Sequence, residues 1–332
     1  MKVTLQPSGH VIELLPGERI IDAARRLGFD APQSCRNGNC HICAANLISG
    51  RVSQHGIERS RGELFTCIAE PLEDCEVEWQ GVLAPDELPL RSLACQLIGI
   101  EDMGGDVCRL LLRTPAGKPL RYHAGQYLLL QRPDGELSAF SIASAPQEER
   151  QLELHILLRE DSTRELVEHI RQQRMVRIRA PLGDCCLPRL PERPLVMIAA
   201  GTGLAQMQSL TQFCLHQGFD LPLHLYWGVR HPQDFYQAPH WQSWQQQPNV
   251  YLHQVVSDTP EWEGRQGMLC EAVCEDLTAV ADYDIFLCGS PLMVYATLDA
   301  LLAAGAVPEQ VFSDVFSYAP RAQPAEDPDQ GA

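Results

Sequence analysis

Cys35, Cys40 and Cys43 stand as C-x4-C-x2-C, and Cys67 follows as a fourth thiol. Thiolates are soft metal ligands, and this spacing suits the four ligands of a [2Fe–2S] cluster. A loop wrapped around such a cluster must aim backbone N–H groups at sulfur. Gly38, inside the loop, has no Cβ to block that approach. Arg36 adds a positive charge beside a cluster of net negative charge. Other origins stay open at this level: chance among thirteen cysteines, a zinc ion, or disulfides. Zinc ligands usually come as two close pairs, and Cys67 has no close partner. Disulfides are disfavoured in a long chain without a secretory leader.

A second constellation lies downstream. The apolar run Leu195–Ala200 reads as a buried strand, Gly201-Thr202-Gly203 as a turn, and 206–214 as a helix. That order brings backbone N–H groups and a helix N-terminus to a phosphate. On this motif alone an ordinary strand–turn–helix serves equally, since Gln206 holds the place of the third fingerprint glycine. Further strands are expected at 224–229, 251–256 and 284–288, the last followed by a turn and a helix start. Strands alternating with helices indicate a parallel sheet with its ligand at the C-terminal strand ends.

Length and composition set the frame for both. The 332 residues are 45% hydrophobic and 21% charged, which suits two or three ordinary globular domains. No apolar run reaches transmembrane length, and the N-terminus enters a strand pattern directly, so a cytoplasmic protein with no membrane partner is expected. The formal net charge of −17 argues against nucleic acid as a partner. The Pro-rich, aperiodic stretch 84–90 reads as a linker, 188–194 as a second boundary, and 321–332 as a disordered tail. Domains are therefore expected at 1–84, 91–190 and 191–320.

The elements of the first segment are legible. Strands are expected at 3–5 and 11–14 around a Ser8-Gly9 turn, an amphipathic helix over 18–27, and a later strand at 76–79. With the C-R-x-G-x-C-x-x-C run and Thr66-Cys67-Ile68-Ala69-Glu70-Pro71, this segment resembles plant-type ferredoxins. The resemblance implies a β-grasp fold with Cys35, Cys40, Cys43 and Cys67 as cluster ligands.

The last segment resembles the nicotinamide domain of the ferredoxin–NADP⁺ reductase family. The matching pieces are Gly201-Thr202-Gly203, the G-x-R ending at Arg230, Trp262-x-Gly264-x-x-Gly267, and the C-G-x-P-x-M run through Cys288 and Gly289. That resemblance implies that Cys288 lies beside the nicotinamide ring. In NADPH-using relatives a Ser-Arg pair grips the 2′-phosphate; here the pair is Ser257-Asp258, which implies NADH. Arg230 is the nearby guanidinium that could serve a phosphate.

Between these, residues 93–187 alternate short strands with Gly/Pro turns, as in a small antiparallel barrel. The run through Gly125-Gln126-Tyr127 and the run Phe140-Ser141-Ile142-Ala143-Ser144 resemble the family's flavin strands. The family pattern is R-x-Y-S, with Arg on the flavin phosphate, Tyr covering the ring and Ser reaching N5. Here Ser138 stands for Arg and Phe140 for Tyr, and Ser141 is kept. FAD or FMN is therefore expected to be held weakly. Asp314-Val315-Phe316-Ser317-Tyr318 resembles the C-terminal strand near the flavin, which places Phe316 there.

Taken together the chain resembles the reductase components of bacterial oxygenases and the CDP-6-deoxy-glucoseen reductases. The expected architecture is α/β multidomain: a β-grasp ferredoxin domain, an antiparallel β-barrel flavin domain and a parallel-sheet α/β NAD domain. The implied work is electron transfer from NADH through flavin and a [2Fe–2S] cluster to a protein acceptor, a dehydratase or an oxygenase component, with Cys288 and Ser141 at the hydride step. Two other readings compete. A diaphorase would use free flavin as a diffusing substrate, but leaves the cluster without a role. A non-enzymatic redox sensor would need a signalling segment, and none is visible.

Overall fold

A computed structural model describes residues 1–85, 87–116, 120–147 and 150–321. The chain divides into two compact units, Met1–Leu88 and Pro89–Ala332. The tail expected from 321 lies outside the described residues from 322 on. Arg321 itself pairs with Asp299 at 2.8 Å.

In the first unit a five-stranded sheet runs in the order His10–Glu13, Lys2–Gln6, Cys75–Glu78, Ala44–Ser49, Gly62–Phe65. Strand Lys2–Gln6 pairs antiparallel with its hairpin neighbour and parallel with Cys75–Glu78. Alternation fixes its buried face, so Val3 and Leu5 point into the core. Helix Ile20–Arg26 buries Ile20, Ile21, Ala23 and Ala24 against that face. A small second sheet joins Val52–Gln54 to Ile57–Arg59 and Ala69–Pro71. These two sheets carry the segments on either side of the cysteine loop.

The second unit holds two layers. A six-stranded antiparallel sheet runs Leu137–Ser141, Tyr127–Gln131, Met175–Leu182, Arg91–Asp102, Val107–Arg113, Gln151–Leu157. It curls until Ala143 N donates to Glu153 O at 2.8 Å, which nearly closes a barrel. Its interior is aliphatic, led by Leu110, Leu112, Leu128, Leu130, Leu154 and Ile156. Helix Asp161–Gln173 closes one end with Leu166, Val167 and Ile170.

The second layer is a six-stranded parallel sheet ordered Arg265–Gln266, Val250–Val256, Leu223–Val229, Leu195–Ala200, Asp284–Cys288, Val311–Phe312. Strand order reverses at Leu195–Ala200, the place where open parallel sheets bind ligands. The turn Gly201–Gly203 is one turn of 3₁₀ helix running straight into helix Leu204–His216. One element differs from expectation. Residues 315–318 form a helical turn, Val315–Tyr318, and the edge strand is the preceding Val311–Phe312. A short apolar and aromatic run carries no period long enough to separate the two states.

Candidate functional site

Of the five thiols of the first unit, four are neighbours: Cys35 lies beside Cys40, and Cys67 beside Cys43 and near Cys35. Among the described residues no three His, Cys, Asp or Glu side chains converge on one ion position. Four neighbouring thiols make a soft-ligand set, and their C-x4-C-x2-C spacing, more than their pairing, suits a [2Fe–2S] cluster. The loop backbone fits the same group. Cys40 N lies 3.3 Å from Cys35 Sγ. The Asn37 N–H and the Cys40 thiol are foremost in pulling the Cys35 thiol down to about 6. Burial, with Cys43 beside it, pushes Cys67 up to about 11, against a hydrogen bond from the Gly38 backbone.

Gly38 has φ +81°, and a Cβ built there would stand 2.8 Å from Ile68 Cδ1. The positive φ favours glycine, while the Ile68 side-chain end could shift aside for a Cβ. Arg36 and His41 also hold positive φ, so the loop is strained on both sides of the glycine. The Arg36 guanidinium is not free beside the thiols, because it pairs with Asp22 on the helix. Cys43 and Cys67 are buried, whereas Cys35 is exposed and Cys40 half-buried. Cys75 stands apart, its thiol on the carbonyls of Arg51 and Glu73 at 3.3 and 3.2 Å.

In the second unit a cleft of about 470 Å³ opens beyond the C-terminal ends of the parallel strands. Gly201, Thr202, Arg230 and Ser257 line it, and the barrel contributes Val107 and Arg159. Gly201 holds φ +54°, and its carbonyl accepts from Trp227 Nε1 at 2.9 Å. Gly203 packs on Cys288: an added Cβ would lie 2.6 Å from its carbonyl oxygen and 3.2 Å from its sulfur. Gly289 packs on Ala200 in the same way, at 3.0 Å from that Cβ. The neighbouring helix, Pro291–Ala303, is capped by Ser290 Oγ, which accepts from Met293 N at 3.4 Å. Arg230 Nε donates to Asp258 Oδ2 at 2.7 Å, and Ser257 Oγ donates to Asp258 Oδ1 at 2.7 Å. The guanidinium that could have served a phosphate is thus neutralised by the carboxylate.

Between barrel and parallel sheet lies a polar and aromatic edge. Tyr127 pairs with Ser141 across adjacent strands, so both present one half-exposed face. Phe140 alternates to the other face, where it is half-buried against the barrel core. A Cβ on Gly183 would stand 2.8 Å from both Tyr127 Cδ1 and Asp314 Oδ1. Asp314 accepts from Cys185 N at 3.2 Å and from Gln206 Nε2 at 2.9 Å. Its burial raises its carboxyl against those donors. Burial, with Asp314 nearby, pushes the Cys288 thiol up to about 12, which keeps it neutral at physiological pH.

The structure puts Phe316 against Tyr295 at 5.8 Å, half-buried on the core of the parallel layer. Tyr318, two residues on and 63% exposed, has its hydroxyl pKa raised by partial burial and by its neighbours Cys288, Asp314 and Tyr127, and is the aromatic at this edge. Asp314, Gln206, Gly183 and Tyr318 were not among the expected site residues. Only Tyr318 had a signal, as an aromatic in the segment already singled out. The half-exposed Tyr127–Ser141 face, backed by a glycine that leaves room for no side chain, fits a flat aromatic ring system such as a flavin. Ser138 offers no cation for its phosphate.

Residues 3–98 match the 2Fe-2S iron-sulfur cluster binding domain, and residues 197–299 match the oxidoreductase NAD-binding domain. The chain is 28% identical to the ferredoxin–NAD(P)⁺ reductase component of the naphthalene 1,2-dioxygenase system of Pseudomonas putida, covering 95% of this chain and 98% of that one. It is 29% identical, with the same coverage, to the CDP-6-deoxy-L-threo-D-glycero-4-hexulose-3-dehydrase reductase of Yersinia pestis. Among solved structures, the Amycolatopsis cytochrome P450 reductase GcoB superposes with a TM-score of 0.61 at 28% identity, covering 94% of this chain and 98% of that one. A matching iron-sulfur domain with its C-x4-C-x2-C run, a matching NAD-binding domain with a cleft at its strand-order reversal, and similarity to such reductases along nearly the whole chain lead to one conclusion: the chain is a ferredoxin–NADP⁺ reductase-like [2Fe–2S] flavoprotein reductase, an NAD(P)H-dependent oxidoreductase.

Proposed function

We propose that this reductase takes electrons from NADH and delivers them one at a time to a protein acceptor, either an oxygenase component or a deoxysugar dehydratase. The division of labour is a cluster domain at 1–84, a flavin barrel at 91–190 and an NAD domain at 191–320. The flavin supplies acceptance of an electron pair and release of single electrons, and the cluster carries single electrons. The chain's own residues bind and orient. Gly201, Thr202 and Gly203 present backbone N–H groups to the coenzyme phosphates, while Gly289 keeps the floor beside Cys288 open. Cys288 offers a neutral thiol beside the nicotinamide, and Ser141 a hydroxyl to the flavin ring.

Tyr127 packs the flavin from the barrel, with Tyr318 and the segment around Phe316 on the other side, whereas Phe140, expected to cover the ring, faces the barrel core instead. The flavin is FAD, or FMN, held loosely because Ser138 replaces the phosphate-binding cation. A charge-assisted hydrogen bond to phosphate is worth about 1.5–3 kcal/mol, so its loss weakens binding roughly ten- to a hundredfold.

The observation that carries the reading is the presence, in one chain, of a cysteine loop with an exposed edge at Cys35 and a separate coenzyme cleft. A diaphorase needs only the second. The test is Cys67→Ser. NADH oxidation with ferricyanide should survive, while cytochrome c reduction should fall by at least tenfold. Cys75→Ser should retain both. Equal cytochrome c reduction by Cys67→Ser and the wild type would favour the free-flavin reading instead.

A further inference from the structure

A buried polar chain connects the barrel to the wall of the coenzyme cleft. Tyr236 lines that cleft. Its ring meets Trp227 edge-on at 4.9 Å and His155 edge-on at 5.3 Å. Its hydroxyl lies 3.0 Å from His155 Nδ1. His155 belongs to barrel strand Gln151–Leu157, so a barrel residue holds a side chain of the nucleotide layer.

The chain continues inward. His155 Nε2 lies 2.8 Å from Glu153 Oε1, which also accepts from Gln208 Nε2 at 3.0 Å. Glu153 Oε2 accepts from Arg109 Nη2 at 2.6 Å. Glu153 is 3% exposed, His155 4%, Gln208 1% and Tyr236 4%. The carboxylate can only accept, so it fixes the proton on His155 Nε2. When the ring carries only that proton, Nδ1 is left to accept from the Tyr236 hydroxyl.

Stability alone explains the chain poorly. A buried ionic network gains little over well-packed apolar side chains. This one also leaves Arg109 Nε and Gln208 Oε1 without a hydrogen-bond partner. Nor does the outer tie to the same loop suffice. There Arg159 bonds Asp106 at 3.1 Å and pairs with Asp234, but its side chain is half in solvent, where ion pairs are weak.

We propose that Arg109, Glu153 and His155 form a positioning device for the coenzyme: they hold the Tyr236 ring in the cleft wall and so fix the distance between barrel and nucleotide layer that the nicotinamide must bridge. These residues touch neither coenzyme nor flavin and act through Tyr236. The inference rests on the assignment of this cleft to the coenzyme.

The test uses the full-length protein loaded with iron and flavin, and reads NAD⁺ binding by calorimetry alongside steady-state kinetics. Tyr236→Phe deletes only the hydroxyl. It should raise the Kd for NAD⁺ and the KM for NADH about three- to tenfold, the loss of one buried hydrogen bond. The kcat at saturating NADH should stay within about twofold. His155→Gln, which can still offer an acceptor to Tyr236, should be milder than His155→Ala. A wild-type Kd in Tyr236→Phe together with a lowered Tm would make the chain purely structural and overturn the proposal. Thr202→Trp, which fills the same cleft, separates the two levels. If it abolishes NAD⁺ binding and Tyr236→Phe does not, only the positioning role fails. If it leaves the Kd unchanged, the coenzyme lies elsewhere and both fail.

Discussion

Asp258 is the residue proposed to decide the coenzyme. Its carboxylate is held between Ser257 and Arg230, and those two hydrogen bonds keep its pKa below the usual range, so it is anionic at any working pH. An anion here repels a 2′-phosphate and can accept from a ribose hydroxyl. Asp258→Arg removes the repulsion and frees Arg230 as well. The kcat/KM ratio of NADPH to NADH should rise at least tenfold, measured in parallel assays; an unchanged ratio would remove Asp258 from specificity. At this scale the sequence was most legible where chemistry constrains spacing, as at Cys35, Cys40, Cys43 and Cys67. The contact between Asp314 and Gln206 was not legible. The two lie more than a hundred residues apart and meet only because the chain's last helical turn folds back onto the barrel.

The strands and helices were readable where their period was long. The apolar run Leu195–Ala200 and the alternation of Lys2–Gln6 specify their elements directly. Val315–Tyr318 is too short for that, and its helical turn sends Phe316 against the core and leaves Tyr318 at the edge. Strand Gln151–Leu157 hid its role differently. Glu153 and His155 look like polar positions of a surface strand, yet helix Leu204–His216 covers them. The folded environment sets the sign of the pH effect. Burial alone would raise Glu153, but hydrogen bonds from His155 and Arg109 outweigh it and bring it to about 2, from an ordinary 4.5. Its stabilisation is therefore complete above about pH 4.5 and is lost as pH falls toward 2. The Tm of the wild type should drop more steeply than that of Glu153→Gln across this acid window. Parallel curves would mean that Glu153 titrates normally.

At the scale of the whole molecule, the proposed electron-transfer chemistry is divided between the two compact units, and of the 13 cysteines only Cys35, Cys40, Cys43 and Cys67 are proposed as metal ligands. Among the described residues no helix is long and apolar enough to cross a membrane. The acceptor was not legible at any scale, because a protein partner leaves no pocket in the chain that reduces it. What can be tested in isolation is whether electrons from the coenzyme reach the cysteine loop. The decisive measurement is an anaerobic titration of the iron-loaded protein with NADH, followed by low-temperature EPR. One sample retains its flavin, one is desalted until flavin-free, and a third is desalted and resupplied with FAD. The reduced [2Fe–2S] signal should develop with NADH in the first, be nearly absent in the second, and return in the third. Full bleaching of flavin by NADH with no cluster signal, in protein whose cluster dithionite does reduce, would contradict electron transfer to the cluster.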